Sequence, residues 1–405
     1  MESGPGAQLN PADSDVPGGS ATRARRIAIA GGYTAGHVLA GLAFLKTYRE
    51  AFGAEGCFIG CPGGVEDRLV PSHGERLLLI PGVAFARQGP WGRLAAVAGM
   101  FRGAFAARRL LRRERIDLVI GVGGYASVGT GLAAWSLGIP LVIHEANAHP
   151  GLANLMLARV ARRVCVGFQE AERRFHKTRF RKPRVEFTGN PATVGPFTAK
   201  TAAGPLRGPL RILVSGGSLG SPFLNREAPR LLAELRAPGC EFTVRHLAGT
   251  PHPKKARAAP AVDEIRRAYA ESGIDARVDP FTDSISDAYA DADFVISGAG
   301  ALTLADISAA GLPALLVPLA DAANDHQSDN ARAYCSHTGA LWVAERDWNA
   351  RRVASQIVEL FGNRQRFDDI ARRSRAFARP GAALALVSIC EEILGGAQVA
   401  GGSVR

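Results

Sequence analysis

Arg25-Arg-Ile-Ala-Ile-Ala-Gly-Gly-Tyr-Thr-Ala-Gly-His37 runs from a short apolar stretch into a glycine pair and then into a helical pattern. The phrase returns at Leu210-Arg-Ile-Leu-Val-Ser-Gly-Gly-Ser-Leu-Gly220. A second pair follows each at matching distance: Val119-Ile-Gly-Val-Gly-Gly-Tyr-Ala-Ser127, then Val295-Ile-Ser-Gly-Ala-Gly-Ala-Leu-Thr303. Glycines between the end of a strand and the start of a helix let backbone N–H groups approach an anion, and the helix dipole adds partial positive charge there. The repetition predicts an α/β chain of two Rossmann-like, doubly wound parallel-sheet halves. They would face a shared cleft, the place where open α/β sheets bind ligands.

Apolar periodicity predicts strands at Ile27–Ala30, Leu77–Ile80, Asp117–Gly121, Leu141–His144 and Val164–Val166. Helices are expected at His37–Phe52, Leu94–Arg113, Tyr125–Leu137 and Leu152–Val160. The second half repeats the alternation, with strands at Ile212–Ser215, Thr243–Leu247, Ala276–Asp279, Phe294–Ile296 and Ala314–Val317. Helices at Val353–Phe361, Arg364–Ala378 and Ala382–Leu394 follow. Expected boundaries are a flexible tail at 1–24, a first domain at 25–191, a Pro/Gly/Thr/Ala-rich linker at 192–208 and a second domain at 209–365. C-terminal helices at 366–395 have the first domain as one surface to pack on, and 396–405 is a loose tail.

The tail at 1–24 lacks the apolar core of a signal peptide, so secretion is not expected. The six cysteines show no paired zinc spacing and read as reduced thiols. Leu118 to Ile143 carries no charge, but six glycines and Pro140 within it favour strand, turn and helix over a membrane span. Asp291-Ala-Asp293 has the spacing of a metal-binding pair but leads into a strand and reads as structural; no metal and no other cofactor is expected. The net charge of +12 is uneven: residues 87–113 hold seven arginines and no acid, and 159–184 hold ten Lys/Arg against two Glu. Such a balance suits a phosphate-rich partner, whether nucleic acid, anionic lipid or nucleotide.

At its loops the chain resembles the MurG-type N-acetylglucosaminyltransferases of peptidoglycan synthesis. The resemblance rests on Gly121-Val-Gly-Gly-Tyr-Ala-Ser127, Gly131-Leu-Ala-Ala-Trp-Ser-Leu-Gly-Ile-Pro140, His144-Glu-Ala-Asn147, Thr188-Gly-Asn-Pro191, Gly216-Gly-Ser-Leu-Gly220, Gly300-Ala-Leu-Thr303 and His326-Gln-Ser-Asp-Asn330, and it covers roughly residues 25–380. It implies the two-domain GT-B fold and inverting transfer of N-acetylglucosamine from a UDP donor. The implied acceptor is a polyprenyl-pyrophosphoryl-muramoyl-pentapeptide, met at the cytoplasmic face of the inner membrane. The first domain would serve the acceptor and the membrane, and the second the UDP-sugar. The implied partners are then the donor, the lipid-linked acceptor and an anionic membrane surface, without nucleic acid.

Residue by residue, the resemblance makes His37 the general base, a role suited to a histidine that the positive end of a helix keeps neutral. It implies donor contacts from Thr34, Ala35, Gly36, Asn147, Ser218, Thr282, Ala301, Leu302, Thr303, Asp306 and Gln327. Asp306 stands where the family has a ribose-binding Glu. The membrane patch would include Phe85, Trp91, Leu94 and Phe101 among arginines, a mixture that suits an interfacial helix. Tyr33 and Ala35 replace two loop glycines of the family, Ala146 a Gln, and Thr193 an Arg. Tyr33 is expected to narrow the acceptor approach unless its ring turns away, and to strain the loop if that position needs positive φ. These departures keep open a paralogue with a natural-product or surface-glycan acceptor. Further alternatives are a UDP-sugar 2-epimerase on the same architecture, an NAD-dependent Rossmann enzyme and a non-catalytic binding relic.

Overall fold

A computed structural model describes residues 23–82, 90–176, 183–194, 209–217, 219–236, 241–250, 260–282, 284–320 and 325–395, with backbone alone for 90–98. The first unit runs β1 (Arg26–Gly31), α1 (Ala35–Phe52), β2 (Glu55–Gly60), α2 (Glu66–Ser72), β3 (Leu77–Leu79), α3 (Pro90–Arg113), β4 (Leu118–Gly123) and α4 (Tyr125–Ser136). It continues through β5 (Leu141–Glu145), α5 (Leu152–Leu157), β6 (Arg163–Val166), α6 (Gln169–His176) and β7 (Val185–Phe187). Among the described residues its strands form one parallel sheet in the order β3-β2-β1-β4-β5-β6-β7.

Period-two alternation sorts the strand residues onto two faces. Ile27, Ile29, Phe58, Leu118, Ile120 and Val142 join one core, and Ala28, Ala30, Ile59, Val119, Leu141 and Ile143 join another on the opposite side. Both faces are apolar because helices cover both, as parallel sheets require.

The second unit runs β8 (Leu210–Ser215), α7 (Pro222–Glu234), β9 (Phe242–Leu247), α8 (Val262–Glu271), β10 (Ala276–Asp279), α9 (Ile285–Asp291), β11 (Phe294–Ser297), α10 (Ala301–Ala310), β12 (Ala314–Leu316), α11 (His326–Thr338), β13 (Leu341–Trp342), α12 (Ala350–Gly362), α13 (Arg364–Phe377) and α14 (Ala382–Ile393). Its sheet, again parallel, has the order β10-β9-β8-β11-β12-β13. In each sheet the order reverses beside the first strand, so the switch points lie between β1 and β4 and between β8 and β11. The glycine loops follow those strands.

α14 returns to the first unit. It packs on α1, and Tyr48 donates its hydroxyl proton to Glu391 at 2.6 Å. Leu386, Val387 and Cys390 of α14 share a core with Phe44 and Leu45 of α1.

Several elements fall outside the periodicity reading. β2, Glu-Gly-Cys-Phe-Ile-Gly, has two glycines and weak strand propensity, and it becomes a strand through pairing with β1 and β3. α2, β7 and β13 are too short to show a period, and α6 carries only Ala171 and Phe175 as apolar residues, four apart and buried. α3 begins at Pro90 rather than Leu94, consistent with the preference for proline in the first helical turn. α5 ends at Leu157 rather than Val160, because the chain folds into a turn with Val160 N–H on the Leu157 carbonyl. The expected linker from 195 onward and both tails at 1–22 and 396–405 lie outside the described residues.

Candidate active site

On the first-domain side the site is built on the β1–α1 loop. Thr34 caps α1, its Oγ1 accepting from His37 N–H at 3.3 Å. That cap places His37 in the first turn of the helix. Its Nδ1 lies 3.1 Å from the Gly32 carbonyl, which can only accept, so Nδ1 carries the proton and Nε2 is left as an acceptor. The ring lies against Gly123, where an added Cβ would come within 3.0 Å of Nε2; Gly123 also has φ of 103°. Burial pushes the His37 pKa down, with Glu145 opposing and His326 of the second domain reinforcing. The side chain is therefore held neutral, with a basic nitrogen at the switch point.

Two buried carboxylates that the sequence reading did not assign hold this loop set. Glu66, 2% exposed, accepts from Tyr33 N–H at 3.1 Å and Cys61 N–H at 3.2 Å. It is packed among Gly32, Gly60 and Gly64, where any Cβ would overlap it. Glu145, 1% exposed, binds Asn147 N–H at 2.9 Å, Gly151 N–H at 2.9 Å and Asn154 Nδ2 at 2.8 Å, fixing the β5–α5 turn. The legible signals were the glycines flanking Glu66 and the position of Glu145 within the motif His144–Asn147. Ser127 Oγ accepts from Gly123 N–H at 3.1 Å and reaches the Ala30 carbonyl, tying the two glycine loops together.

Tyr33 sits at φ 74°, the left-handed region where side chains are strained. Tyr33 is 58% exposed, and its ring leans edge-on against Tyr125, with centroids 5.7 Å apart.

On the second-domain side, Gly217 and Gly220 after β8 have φ of 81° and 71°. Ser218 between them lies outside the described residues. α10 opens on Gly300, which has no side chain to cap it, followed by Ala301, Leu302 and Thr303. Gln327 Oε1 accepts from Ala299 N–H and Leu319 N–H, each at 3.1 Å, which turns its amide NH₂ away from those groups. Thr282 Oγ1 lies 3.4 Å from Arg245 and 3.3 Å from Ser284 N–H, beside an exposed Phe281.

Asp306 is more committed than its expected ribose role requires. It is 6% exposed, and its carboxylate accepts from Thr193 N–H at 2.7 Å, Thr193 Oγ1 at 2.8 Å and Val194 N–H at 3.2 Å. Burial raises its pKa to about 6, and the bonds to Thr193 and Val194 oppose the rise.

The two sides meet directly. Asn330, fully buried on α11, accepts from Ala148 N–H at 2.9 Å and donates to Asn147 Oδ1 and the Ala299 carbonyl, both at 3.1 Å. His149 meets Asp329 at 2.8 Å, and His337 meets Glu170 at 2.9 Å. Asn147, whose amide also reaches Glu145 at 3.3 Å, thus stands at the seam. His37 is within electrostatic reach of Glu145, which binds Asn147, and of His326, which adjoins Gln327.

Away from the cleft, Phe101 and Phe105 on α3 and Trp135 on α4 are 65%, 63% and 61% exposed. Arg109 lies over the Phe105 ring at 5.9 Å, and Arg108 bonds Ser136. Phe85 lies outside the described residues, as do the side chains of Trp91 and Leu94. Among the described residues no helix is long and apolar enough to cross a membrane. Asp293 is bound by Arg211 at 2.7 Å, and no group of three potential metal ligands occurs among the described residues.

Residues 27–166 match the glycosyltransferase family 28 N-terminal domain, and 211–386 match the glycosyltransferase family 28 C-terminal domain. The chain is 36% identical over 378 residues to a UDP-N-acetylglucosamine--N-acetylmuramyl-(pentapeptide) pyrophosphoryl-undecaprenol N-acetylglucosamine transferase of Paraburkholderia xenovorans, covering 92% of this chain and 95% of that one. The crystal structure of Acinetobacter baumannii MurG superposes with a TM-score of 0.71 at 29% identity, covering 91% of this chain and 99% of that one. A putative UDP-N-acetylglucosamine 2-epimerase from Listeria monocytogenes has a TM-score of 0.64 at 14% identity, covering 92% and 96%, and shares the fold alone.

Proposed function

The chain belongs to glycosyltransferase family 28, and on that premise we propose its reaction and the division of labour between its halves. It is a UDP-N-acetylglucosamine-dependent transferase of peptidoglycan synthesis, and the acceptor is a polyprenyl-pyrophosphoryl-muramoyl-pentapeptide. The second domain takes the UDP-sugar and the first takes the acceptor.

His37 Nε2 removes the proton of the acceptor hydroxyl as its oxygen attacks the anomeric carbon. The bond from that carbon to the diphosphate oxygen breaks, UDP leaves with the electron pair, and the configuration inverts. Backbone N–H groups of the β8–α7 glycine loop and the N-terminus of α10 receive the leaving charge. Thr34, Ala35, Gly36, Asn147, Thr282, Ala301, Leu302, Thr303 and Gln327 surround the donor in this reading. Asp306 also holds the joint between the domains through Thr193 and Val194, and a ribose hydroxyl bound to it would share the carboxylate with Thr193. The observation that carries the mechanism is the fixed tautomer of His37, with Nδ1–H on the Gly32 carbonyl and Nε2 left as an acceptor beside Gly123.

We place the enzyme peripherally on the cytoplasmic face of the membrane, through the face of Phe101, Phe105 and Trp135 and the arginines around it. The test of the whole reading is transfer of labelled N-acetylglucosamine to a synthetic muramoyl-pentapeptide polyprenyl diphosphate, paired with rescue of cells depleted of their own enzyme. Transfer and rescue are expected. A folded protein that binds UDP-N-acetylglucosamine but modifies no muramoyl acceptor would return the acceptor to the natural-product or surface-glycan class. Tyr33, strained beside Tyr125, is the feature that favours this second reading.

A further inference from the structure

Gly32 and Tyr33 share one peptide plane, and both of its polar ends are bound. The Gly32 carbonyl accepts from His37 Nδ1 at 3.1 Å, and the Tyr33 N–H donates to Glu66 Oε2 at 3.1 Å. A trans peptide is rigid and points its C=O and N–H in opposite directions, so whatever holds the N–H also aims the carbonyl. Glu66 is thereby linked to the imidazole through a single rigid unit.

The backbone alone does not favour this orientation of the plane. Tyr33 has φ of 74°, a left-handed value that an L side chain resists. Turning the Gly32–Tyr33 peptide over would bring that φ into the negative region and carry the carbonyl away from His37. The β4–α4 loop confines the carbonyl on one side: at Gly124, which has φ of 86°, a Cβ would lie 2.8 Å from the Gly32 carbonyl oxygen. Glu66 holds the N–H on the other. It is 2% exposed and also accepts from Cys61 N–H at 3.2 Å. Cβ atoms at Gly60 and Gly64 would overlap it, so its carboxylate is locked between the end of β2 and the start of α2.

We infer that Glu66 is a positioning residue for His37: by holding the Tyr33 N–H it keeps the Gly32 carbonyl on Nδ1, and so keeps Nε2 as the acceptor. The inference rests on the base assignment given under Proposed function. Electrostatics add a signature. Burial pushes the His37 pKa down, Glu145 of β5 and the Gly32 carbonyl raise it, His326 of α11 lowers it, and Glu66 raises it. Loss of Glu66 removes one raising group directly and a second, the Gly32 carbonyl, through the peptide.

The test replaces Glu66 in two ways. Glu66→Met removes the charge and both acceptor oxygens at similar length; Glu66→Gln removes the charge and one acceptor and is the milder change. In Glu66→Met, kcat is expected to fall about tenfold, the factor to which about 1.4 kcal/mol of lost transition-state stabilisation corresponds. The KM for UDP-N-acetylglucosamine is expected to stay within about twofold of wild type, because the loss lies in the chemical step. In both variants the acidic limb of the rate profile is expected to move to lower pH, since both lost interactions favour the charged imidazole. NMR of isotope-labelled histidine reads the tautomer directly, with the His37 signal assigned by its loss in His37→Ala. A single Nδ1–H form is expected in wild type and a mixture of forms in both variants. Adding Tyr33→Gly to Glu66→Gln is expected to recover part of the lost rate, because glycine removes the strain that turning the peptide would relieve. A wild-type limb and a single tautomer in both variants overturn the inference, whatever the loss of melting temperature. Should Glu66→Met fail to fold, Glu66→Gln decides by the same two readouts. Normal turnover by His37→Ala overturns the base assignment itself, while the tautomer signal still decides the role of Glu66, so the two failures are distinct.

Discussion

Asp306 of the second domain closes its carboxylate on Thr193, in the segment leaving the first domain, with Oδ1 2.7 Å from Thr193 N–H and Oδ2 2.8 Å from Thr193 Oγ1. The clasp spans 113 positions of sequence. It puts a nearly buried acid at the joint between the two halves.

The clasp has a pH signature. The folded pKa of Asp306, about 6, stands above the unfolded carboxylate value. Between about pH 4 and 6 the unfolded chain has released this proton and the folded chain still holds it, so stability falls as pH rises through that window and is level above it. Wild type compared with Asp306→Asn is expected to lose on the order of 2 kcal/mol from pH 4 to 7, read from urea melts of both proteins at each pH. A difference that grows in favour of wild type as pH rises would reverse the assignment.

His37→Ala is expected to lower the chemical step by ~10²–10⁴-fold while UDP affinity by calorimetry stays close to wild type. Because the pKa of His37 is lowered by burial, the acidic limb of the wild-type rate profile should lie below pH 6.5. Loss of UDP binding with normal turnover would remove His37 from the role of base.

Tyr33 gives a backbone test. Tyr33→Ala and Tyr33→Gly both delete the ring and its contact with Tyr125, but only glycine accepts φ of 74° without strain. The glycine variant is expected to be the more stable of the two by about 1 kcal/mol. Equal melting temperatures would mean that the loop relaxes and stores no strain.

For membrane attachment, Phe101→Ser combined with Trp135→Ser is expected to weaken co-sedimentation with vesicles containing anionic lipid by roughly tenfold or more, since large exposed apolar groups supply the insertion. Raising the salt concentration should weaken wild-type binding as well, through the arginines of α3. Binding indifferent to both changes would remove this face from the membrane.

The alternation of elements, the two glycine-loop pairs and the family resemblance were legible in the sequence. These are local properties: a strand's period of two, a glycine where the backbone must turn, and a threonine three residues before the N–H it caps. Tyr33 illustrates the limit of that reading. Its possible strain was legible, but only the backbone showed that φ is positive and that the ring rests on Tyr125. Glu66, Glu145 and Asn330 were plain acids and an amide until the fold buried them against N–H groups from other loops. Likewise, the motif gave Asp306 a ligand to hold, and the tertiary structure gave it Thr193. The reason is physical: a buried carboxylate needs donors, and which donors it finds depends on chain segments brought together by the packing of two sheets, a relation carried by no local stretch of sequence.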